Sequence, residues 1–481
     1  MASLPSSTFA DGRWNARTWG ALILLCGVLF LDGLDVSMVG VALPSIRADL
    51  GLSTAQLQWV VSGYVLGYGG LLLLGGRAAD LLGRRRVLLV GLGVFTVASM
   101  LGGLVSDPTL LIVTRFLKGA SAAFTAPAGL SYITTSFAEG PSRNRALSVY
   151  AACGASGYSS GLILGGLMTE VGWRWTFLLP VPFAIAILAF APRLLVADRP
   201  GARAKGSFDL AGAVTITAGM LMFVRTVVEA PQHGWGSAST VASFAIAAAL
   251  LAAFVAIEGR VAHPLVRLSL LRTGHLLRAN LAAAATAGTY FSFQFVATLY
   301  LQSVLGWSAL GTAMAFLPAG LLVAFGAPRV GLLVDRVGTA PLITAGFVSF
   351  TAGYLLFLRT GLDPSYPLVI LPSLLLLGLA FALAFPSFNM QGTSGVADHE
   401  QGVASGLINT SFQVGGAVVL AVITAVVGNG DPSKADASAF VDTMHTAVAV
   451  VAGLAAATVL ATLTGVRLRR GAQAAAVLER T

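Results

Sequence analysis

The chain has 481 residues, of which 56% are hydrophobic and 10% charged, and its formal net charge is +9. Its mean hydropathy of +0.84 excludes an ordinary soluble globular protein, in which about a quarter of the residues are charged. Apolar stretches long enough to cross a bilayer recur along the whole chain, so the sequence predicts an integral membrane protein built from helices. The two cysteines, Cys26 and Cys153, lie inside apolar stretches and indicate neither a disulfide framework nor a metal cluster.

Fourteen apolar segments predict about fourteen transmembrane helices. Each segment is bounded by charged residues, glycine or proline, and each is long enough to span roughly 30 Å of hydrocarbon. The first is too long for a signal-peptide core and lacks a clear cleavage site, so we expect it to remain as a span. The predicted helices lie at residues 20–43, 56–79, 87–106, 110–134, 144–168, 174–192, 209–228, 239–257, 277–302, 311–332, 340–359, 366–388, 402–428 and 443–466.

Basic residues are concentrated in the even-numbered connections between these helices and in the tails, as at Arg84–Arg86 and Arg467–Arg470. One even connection, VADHEQG at 396–402, is acidic and breaks the pattern. Because cytoplasmic loops are enriched in Lys and Arg, the asymmetry predicts that both termini are cytoplasmic. Short basic groups placed between spans favour this explanation of the positive charge over nucleic-acid binding. Lysine is almost absent while Ala, Gly and Arg abound, which is typical of a GC-rich bacterium, so we expect the spans to lie in a bacterial plasma membrane.

A repeated motif divides the chain into two parts. GRAADLLG at 76–83 and GLLVDRVG at 331–338 share the frame Gly, three residues, Asp, two residues, Gly. Each copy closes an even-numbered predicted helix and opens a short cytoplasmic turn. A parallel repeat of two six-helix halves explains these equivalent places. We therefore predict an N-terminal half at 1–205, two linking helices at 206–260, and a C-terminal half with a cytoplasmic tail at 261–481.

The first copy of the motif is a candidate conformational latch. Gly76 and Gly83 permit close helix approach and a turn of the chain. Asp80 sits at the C-terminal end of a helix, where the helix dipole disfavours a negative charge, so it needs a partner such as Arg84 or a neighbouring helix N-terminus. We expect that partner in only one arrangement of the two halves. Asp335 is the equivalent acid of the second copy, which lacks the arginine cluster.

Four charged residues lie well inside predicted helices, where burial is costly. Asp32 and Asp35 share one face of the first helix, and Arg115 and Lys118 lie in the fourth. At 1.5 Å per residue, Asp35 and the two cations are roughly 10 to 15 Å from the external surface, which is deep enough to need each other. A carboxylate that moves between a cation and an apolar cavity can load and unload a proton, so we predict that Asp35 carries the proton, with Arg115 and Lys118 as its cationic partners. The alternative is a fixed structural ion pair of Asp35 with Arg115, and Asp32 is a candidate second acid.

These motifs resemble those of the Major Facilitator Superfamily over essentially the whole chain. GRAADLLGRRRVL is similar to its signature loop between the second and third helices. LDVSMVGVALP at 34–44 resembles the first-helix motif of its fourteen-helix drug:proton antiporter branch. RFLKGASAA at 115–123 resembles the family's Arg, two residues, Gln-Gly motif, with Lys118 in place of glutamine. That departure implies an altered substrate charge preference or altered proton coupling.

GYSSGLILGG resembles the glycine-rich antiporter motif of the same family, with Leu162 where the family has proline. Because this proline belongs to the antiporter motif, its absence weakens the inference of export over import. The matching glycines are Gly157, Gly161, Gly165 and Gly166.

Further polar residues are candidates for lining a central cavity, and hydrogen bonding between helices is the alternative explanation for them. The histidines are scattered in or near loops without ligand spacing, so we predict no metal site. The candidate lining residues are Tyr64, Tyr68, Tyr290, Gln294, Asn409 and Gln413.

Walker A and dinucleotide-binding motifs are absent from the sequence, which argues against ATP-driven transport by this chain and against an enzyme of the common classes. The resemblance and the buried charges together imply a secondary transporter that exports amphipathic drugs or toxic small molecules in exchange for protons. We expect the proton gradient to be its driving force, no cofactor, no nucleic-acid partner and a functional monomer in the lipid bilayer. The alternatives are a dedicated exporter of one natural product and a membrane sensor or scaffold that transports nothing.

Overall fold

The structure is a computed structural model that describes residues 14–137, 141–196, 209–261, 274–394, 396, 401–428 and 437–478. The described residues form helices joined by short connections, and no strand occurs among them. The all-α prediction is confirmed. The chain packs as two compact units, Met1–Arg267 with Ser308–Ala313, and Leu268–Trp307 with Met314–Thr481. The predicted boundaries between the two halves and the linking helices, after residues 205 and 260, stay a prediction.

In the first unit, α1 packs against α5, α2 packs against α4 and α8, α3 packs against α4, and α8 packs against α9. The described helices of this unit are α1 (Ala16–Leu50), α2 (Thr54–Leu82), α3 (Arg84–Leu104), α4 (Pro108–Ser136), α5 (Pro141–Val171), α6 (Trp175–Leu178), α7 (Pro180–Leu194), α8 (Leu210–His233) and α9 (Ala238–Glu258).

Local sequence determines where the first two helices begin and end. The Asn15 side chain accepts a hydrogen bond from the backbone N–H of Thr18 at 2.8 Å and caps α1. Gly51, with φ of +63°, ends α1 in the left-handed conformation that glycine adopts without a Cβ penalty. Ser53 and Gln56 then form a reciprocal capping box at the start of α2.

Polar contacts tie together the helix ends that lie near the C-terminus of α1. Arg174 donates hydrogen bonds to Asp49 at 2.7 Å and to the Ser106 hydroxyl at 3.1 Å. Trp173 donates its indole N–H to the same Asp49 carboxylate at 3.0 Å. The connection after α5 is thereby fixed to the ends of α1 and α3.

An aromatic cluster fixes the opposite end of α1. The rings of Trp14 and Trp19 lie 4.7 Å apart, and the Arg145 guanidinium lies 4.7 Å from the Trp14 ring centroid. The Trp14 indole N–H donates to the Ser142 hydroxyl of α5 at 3.1 Å. Tryptophan is the residue typical of the membrane–water interface, because its ring is apolar and its N–H is polar.

In the second unit, α10 packs against α15 and α14, and α13 packs against α14 and α16. Two π-helical turns, Tyr300–Val304 and Tyr366–Ile370, extend α10 and precede α14. The helices are α10 (Gly274–Leu299), α11 (Ala309–Gly326, whose first turn belongs to the first unit), α12 (Val330–Val337), α13 (Thr339–Phe357), α14 (Leu371–Thr393), α15 (Gln401–Val427) and α16 (Ala437–Leu478).

Each of the fourteen predicted segments overlaps one of these helices or a consecutive pair of them. The sixth segment corresponds to α6 and α7, and the tenth to α11 and α12. Within the described residues, ten helical segments are long and apolar enough to cross a membrane. The number of fourteen spans stays a prediction.

Candidate functional site

The carboxylate of Asp35 is enclosed between two cations inside the first unit. Arg115 and Lys118 lie three residues apart on α4 and therefore on one face of that helix. Arg115 Nη1 donates to Asp35 Oδ2 at 2.5 Å, and Lys118 Nζ donates to Asp35 Oδ1. The three residues are at most 2% exposed. The structure thus brings together three of the charges that the sequence analysis places at one depth.

The arginine of this cluster is also held by α2. Arg115 Nε donates to the main-chain carbonyl of Val60 at 2.9 Å, and its guanidinium lies 4.9 Å from the centroid of the Tyr64 ring. A Cβ at Gly119 would lie 2.7 Å from the carbonyl carbon of Tyr64, so only glycine permits this approach of α4 to α2. The close crossing brings a backbone acceptor within reach of the buried guanidinium.

Lys118 is surrounded by aromatic rings as well as by the carboxylate. Its Nζ lies 5.0 Å from the centroid of Phe95 on α3 and 4.9 Å from that of Phe177 on α6. A cation over an aromatic face gains electrostatic stabilisation, and the gain is larger where water is excluded. The two phenylalanines were not predicted as site residues, because their positions in apolar helices give no signal in the sequence.

Asp32 lies one helical turn from Asp35 and differs from it in its contacts. Asp32 is 8% exposed, and its Oδ2 accepts no hydrogen bond from any part of the chain that the structure describes. Tyr64 and Tyr68 from α2 and Tyr150 from α5 lie within electrostatic range of Asp32. The site therefore holds two acids and two cations, of which one carboxylate is fully paired and the other is not.

The glycine-rich motif of α5 forms the contact with α1 next to these acids. A Cβ at Gly161 would lie 2.6 Å from the Leu34 carbonyl oxygen, and one at Gly165 would lie 2.7 Å from the Met38 Cα. Gly157 packs in the same way on Phe30. Gly166 faces elsewhere and packs on residues 309–313 within the first unit. Three of the motif's glycines therefore position α1 and its carboxylates.

The predicted latch is described only in part. Gly83, with φ of +100°, separates α2 from α3, whose first residue is Arg84. At Gly76 an added Cβ would meet only the Pro127 Cβ at 3.9 Å, so the close approach to α4 occurs at the preceding Gly75 instead. The side chains of Asp80 and Asp335 lie outside the described residues.

Most of the remaining predicted polar residues are largely buried. In the first unit, Tyr64 is buried and Tyr68 half-buried, with ring centroids 6.0 Å apart. In the second unit, Asn409 is half-buried and donates to the Ser405 carbonyl of its own helix at 3.1 Å. The buried residues of the second unit in this set are Tyr290, Gln294 and Gln413.

A cluster of half-buried phenylalanines in the second unit was missed by the sequence analysis. The rings of Phe381 and Phe385 stack with centroids 5.3 Å apart, and Phe412 meets Phe385 edge-on at 5.7 Å. Tyr290 and Phe291 of α10 border the same cluster, at 5.0 Å from Phe381 and 5.7 Å from Phe412. The run FALAFPSF at 381–388 contains a signal for it, because residues four apart share a helix face.

Buried charges in the first unit and half-buried aromatic rings in the second are the chemistry that the described residues offer. The described residues contain no group of three or more His, Cys, Asp or Glu side chains that could hold a metal ion. Carboxylates beside cations can bind and release protons or exchange one cationic partner for another.

Known proteins resemble this chain over most of its length. A family model described as Major Facilitator Superfamily matches residues 25–420. The chain is 40% identical to the cephamycin export protein CmcT of Amycolatopsis lactamdurans over 85% of each chain. It is 36% identical to the puromycin resistance protein pur8 of Streptomyces alboniger, over 89% of this chain and 85% of that protein.

A solved structure supports the fold. The crystal structure of the POT family transporter PepTSo matches with a TM-score of 0.69, covering 95% of this chain and 99% of that one at 17% identity. The family match, the transporter relatives and the apolar helices identify a multi-pass membrane protein of a family that carries small molecules. The chain belongs to the Major Facilitator Superfamily, as its motifs predicted.

Proposed function

We propose that this chain is a proton-coupled secondary transporter that exports amphipathic drugs or toxic small molecules by alternating access. The relatives support export, since one is named for cephamycin export and another for puromycin resistance. Proton exchange is supported by the buried acids and cations of the first unit. We further propose a monomer in a bacterial plasma membrane with both termini cytoplasmic, and the distribution of arginines supports that orientation of the termini.

The observation that carries the proposal is the burial of Asp32 and Asp35 in α1, a helix long and apolar enough to cross a membrane, beside Arg115 and Lys118 of α4. Ionisable groups inside a membrane are costly and mark ion or substrate pathways. A purely structural role would be served by one pair, whereas this cluster has a further acid with an oxygen atom left unbonded by the described residues. An unfilled acceptor beside paired charges is what exchange with a proton requires.

The proposal is tested in inside-out vesicles from a host that expresses the chain. An imposed pH gradient should drive accumulation of ethidium or puromycin, and a proton ionophore should abolish it. Vesicles without the chain are the control. Movement that ignores the pH gradient would contradict proton coupling, and no movement of any compound in a broad panel would favour a sensor or scaffold.

A dedicated exporter of one natural product is the second candidate, and the relative named for cephamycin export favours it. Growth of a susceptible host that expresses the chain separates the two candidates. Protection against many unrelated toxic compounds supports the broad exporter, while protection against a single chemical class supports the dedicated one.

A further inference from the structure

We propose that Asp32, and not Asp35, is the acid that binds the exchanging cation, which is a proton in one state and the positively charged group of a cationic substrate in the other. This inference rests on the proposed exchange function and names its site and substrate class. The observations that support it all lie within the first unit.

Both carboxylate oxygens of Asp35 are already paired with cations. Its two carboxylate oxygens each accept a hydrogen bond from a different cation, and the residue is 0% exposed. Protonating Asp35 would leave the charges of Arg115 and Lys118 buried without it, and an uncompensated buried charge is strongly destabilising. Asp35 is therefore best placed to remain ionised and to hold the two helices together.

Asp32 has the properties that Asp35 lacks. Its Oδ2 receives no hydrogen bond from the described residues, and its exposed fraction of 8% is the largest in the charged cluster. A buried polar atom without a partner requires an explanation in a native structure. A proton or a bound cation at Oδ2 supplies one.

The charge balance of the cluster couples the two ligands. With both acids ionised, the two carboxylates balance Arg115 and Lys118, and the cluster is neutral. A proton on Asp32 makes the cluster positive, so it repels a cationic substrate and removes the carboxylate that would bind it. Binding of the proton and of the substrate cation is then mutually exclusive, which is the requirement for exchange.

The neighbours of Asp32 suit a cation. The titratable groups within electrostatic range of Asp32 are Asp35 on its own helix, Lys118 from α4, Tyr64 and Tyr68 from α2, and Tyr150 from α5. Phenol rings attract cations, as the Tyr64 ring does with the Arg115 guanidinium 4.9 Å from its centroid. Tyr68 is half-buried, whereas Tyr64 and Tyr150 are buried, so part of the Tyr68 ring stays accessible.

Infrared difference spectroscopy of the purified full-length protein tests this site without a transport assay. A protonated carboxyl gives a carbonyl stretch that disappears on ionisation. We expect the wild type to show such a band that titrates with pH, Asp32→Asn to lose it, and Asp32→Glu to restore it at a shifted frequency. The double variant Asp35→Asn with Arg115→Gln should keep it. Asp49→Asn, which alters an exposed acid on the same helix, is the matched control and should leave the band unchanged.

Competition tests the second half of the inference. Tetraphenylphosphonium, a permanent lipophilic cation, should reduce the Asp32 carboxyl band at fixed pH and move its midpoint to lower pH. A band that survives in Asp32→Asn, or that the wild type lacks, would overturn the assignment. A midpoint unaffected by tetraphenylphosphonium would overturn the shared cation site. A titrating Asp32 band in a protein that shows no pH-driven flux would instead contradict the proposed function and leave the protonation site standing.

Discussion

The two units of the chain have different interiors. In the first unit, Asp32, Asp35, Arg115 and Lys118 are all buried, whereas among the described residues of the second unit no Asp, Glu, Lys or Arg side chain is buried. The second unit instead has a cluster of phenylalanine rings around Phe385 and Phe412. Charged groups bind protons and cations at defined atoms, while aromatic rings offer apolar contact without fixed partners. We infer a division of labour, with ion exchange in the first unit and adaptable substrate contact in the second.

The largest effect is expected where charge holds the first unit together. Asp35→Asn should reduce the yield of folded protein, because loss of a buried carboxylate leaves cations uncompensated at a cost on the order of 3 to 5 kcal/mol. Size-exclusion chromatography of detergent extracts measures that yield. In the double variant Asp35→Asn with Arg115→Gln, the remaining Lys118 is balanced by Asp32, so folded protein should recover. Well-folded Asp35→Asn protein with full pH-driven flux would show that the carboxylate is dispensable.

Lys118→Gln tests the departure from the family motif. The substitution keeps the Asp35–Arg115 pair but removes a positive charge near Asp32, which favours the protonated form of that acid. The pH at which exchange is half-maximal should therefore rise. Lys118→Arg, which keeps the charge, is the control. An unchanged pH profile in Lys118→Gln would argue that this lysine acts only in packing.

Phe385→Leu tests the aromatic cluster of the second unit. Ring pairs contribute about 0.5 to 1.5 kcal/mol beyond their buried area, so the half-saturating concentration of an aromatic substrate should rise up to roughly tenfold. The pH midpoint of the Asp32 carboxyl band, measured without substrate, should not move. Phe325→Leu, at a ring that is 64% exposed in the same unit, should change neither quantity. A shifted midpoint in Phe385→Leu would break the proposed division between the units.

The smallest effect concerns the two copies of the repeated motif. Asp80→Asn should slow exchange while the protein still inserts, since the change removes charge from a contact expected in one conformation. Asp335→Asn should slow it less, because the second copy lacks the arginine cluster. Exchange rates in vesicles at matched protein content make the comparison. Equal effects would indicate that the two units latch alike, and undiminished rates in both would remove the latch.

Apolar length and motif spacing were sufficient to predict the helical fold and the family. They also predicted that Asp35 lies at the same depth as Arg115 and Lys118, because the helical rise per residue converts a position in the sequence into a depth in the membrane. Hydropathy does not specify which helix faces meet. The aromatic rings around Lys118, the 8% exposure of Asp32 and the close crossing at Gly119 are all properties of helix packing, which only the structure provides. Gly76 is an example, because the close helix contact that the motif predicted there occurs at Gly75 in the structure.

The length of α1 links the site to the surrounding lipid. Its 35 residues extend about 52 Å, while the hydrocarbon core of a bilayer is about 30 Å thick. The helix must therefore tilt or project, and the tryptophan pair at its start together with Asp49 at its end restricts how far it can slide. Asp32 and Asp35 lie near its middle, so their depth is set by these anchors. Lipids with longer or shorter acyl chains should accordingly change the rate of exchange, which makes membrane thickness a determinant of activity in this protein.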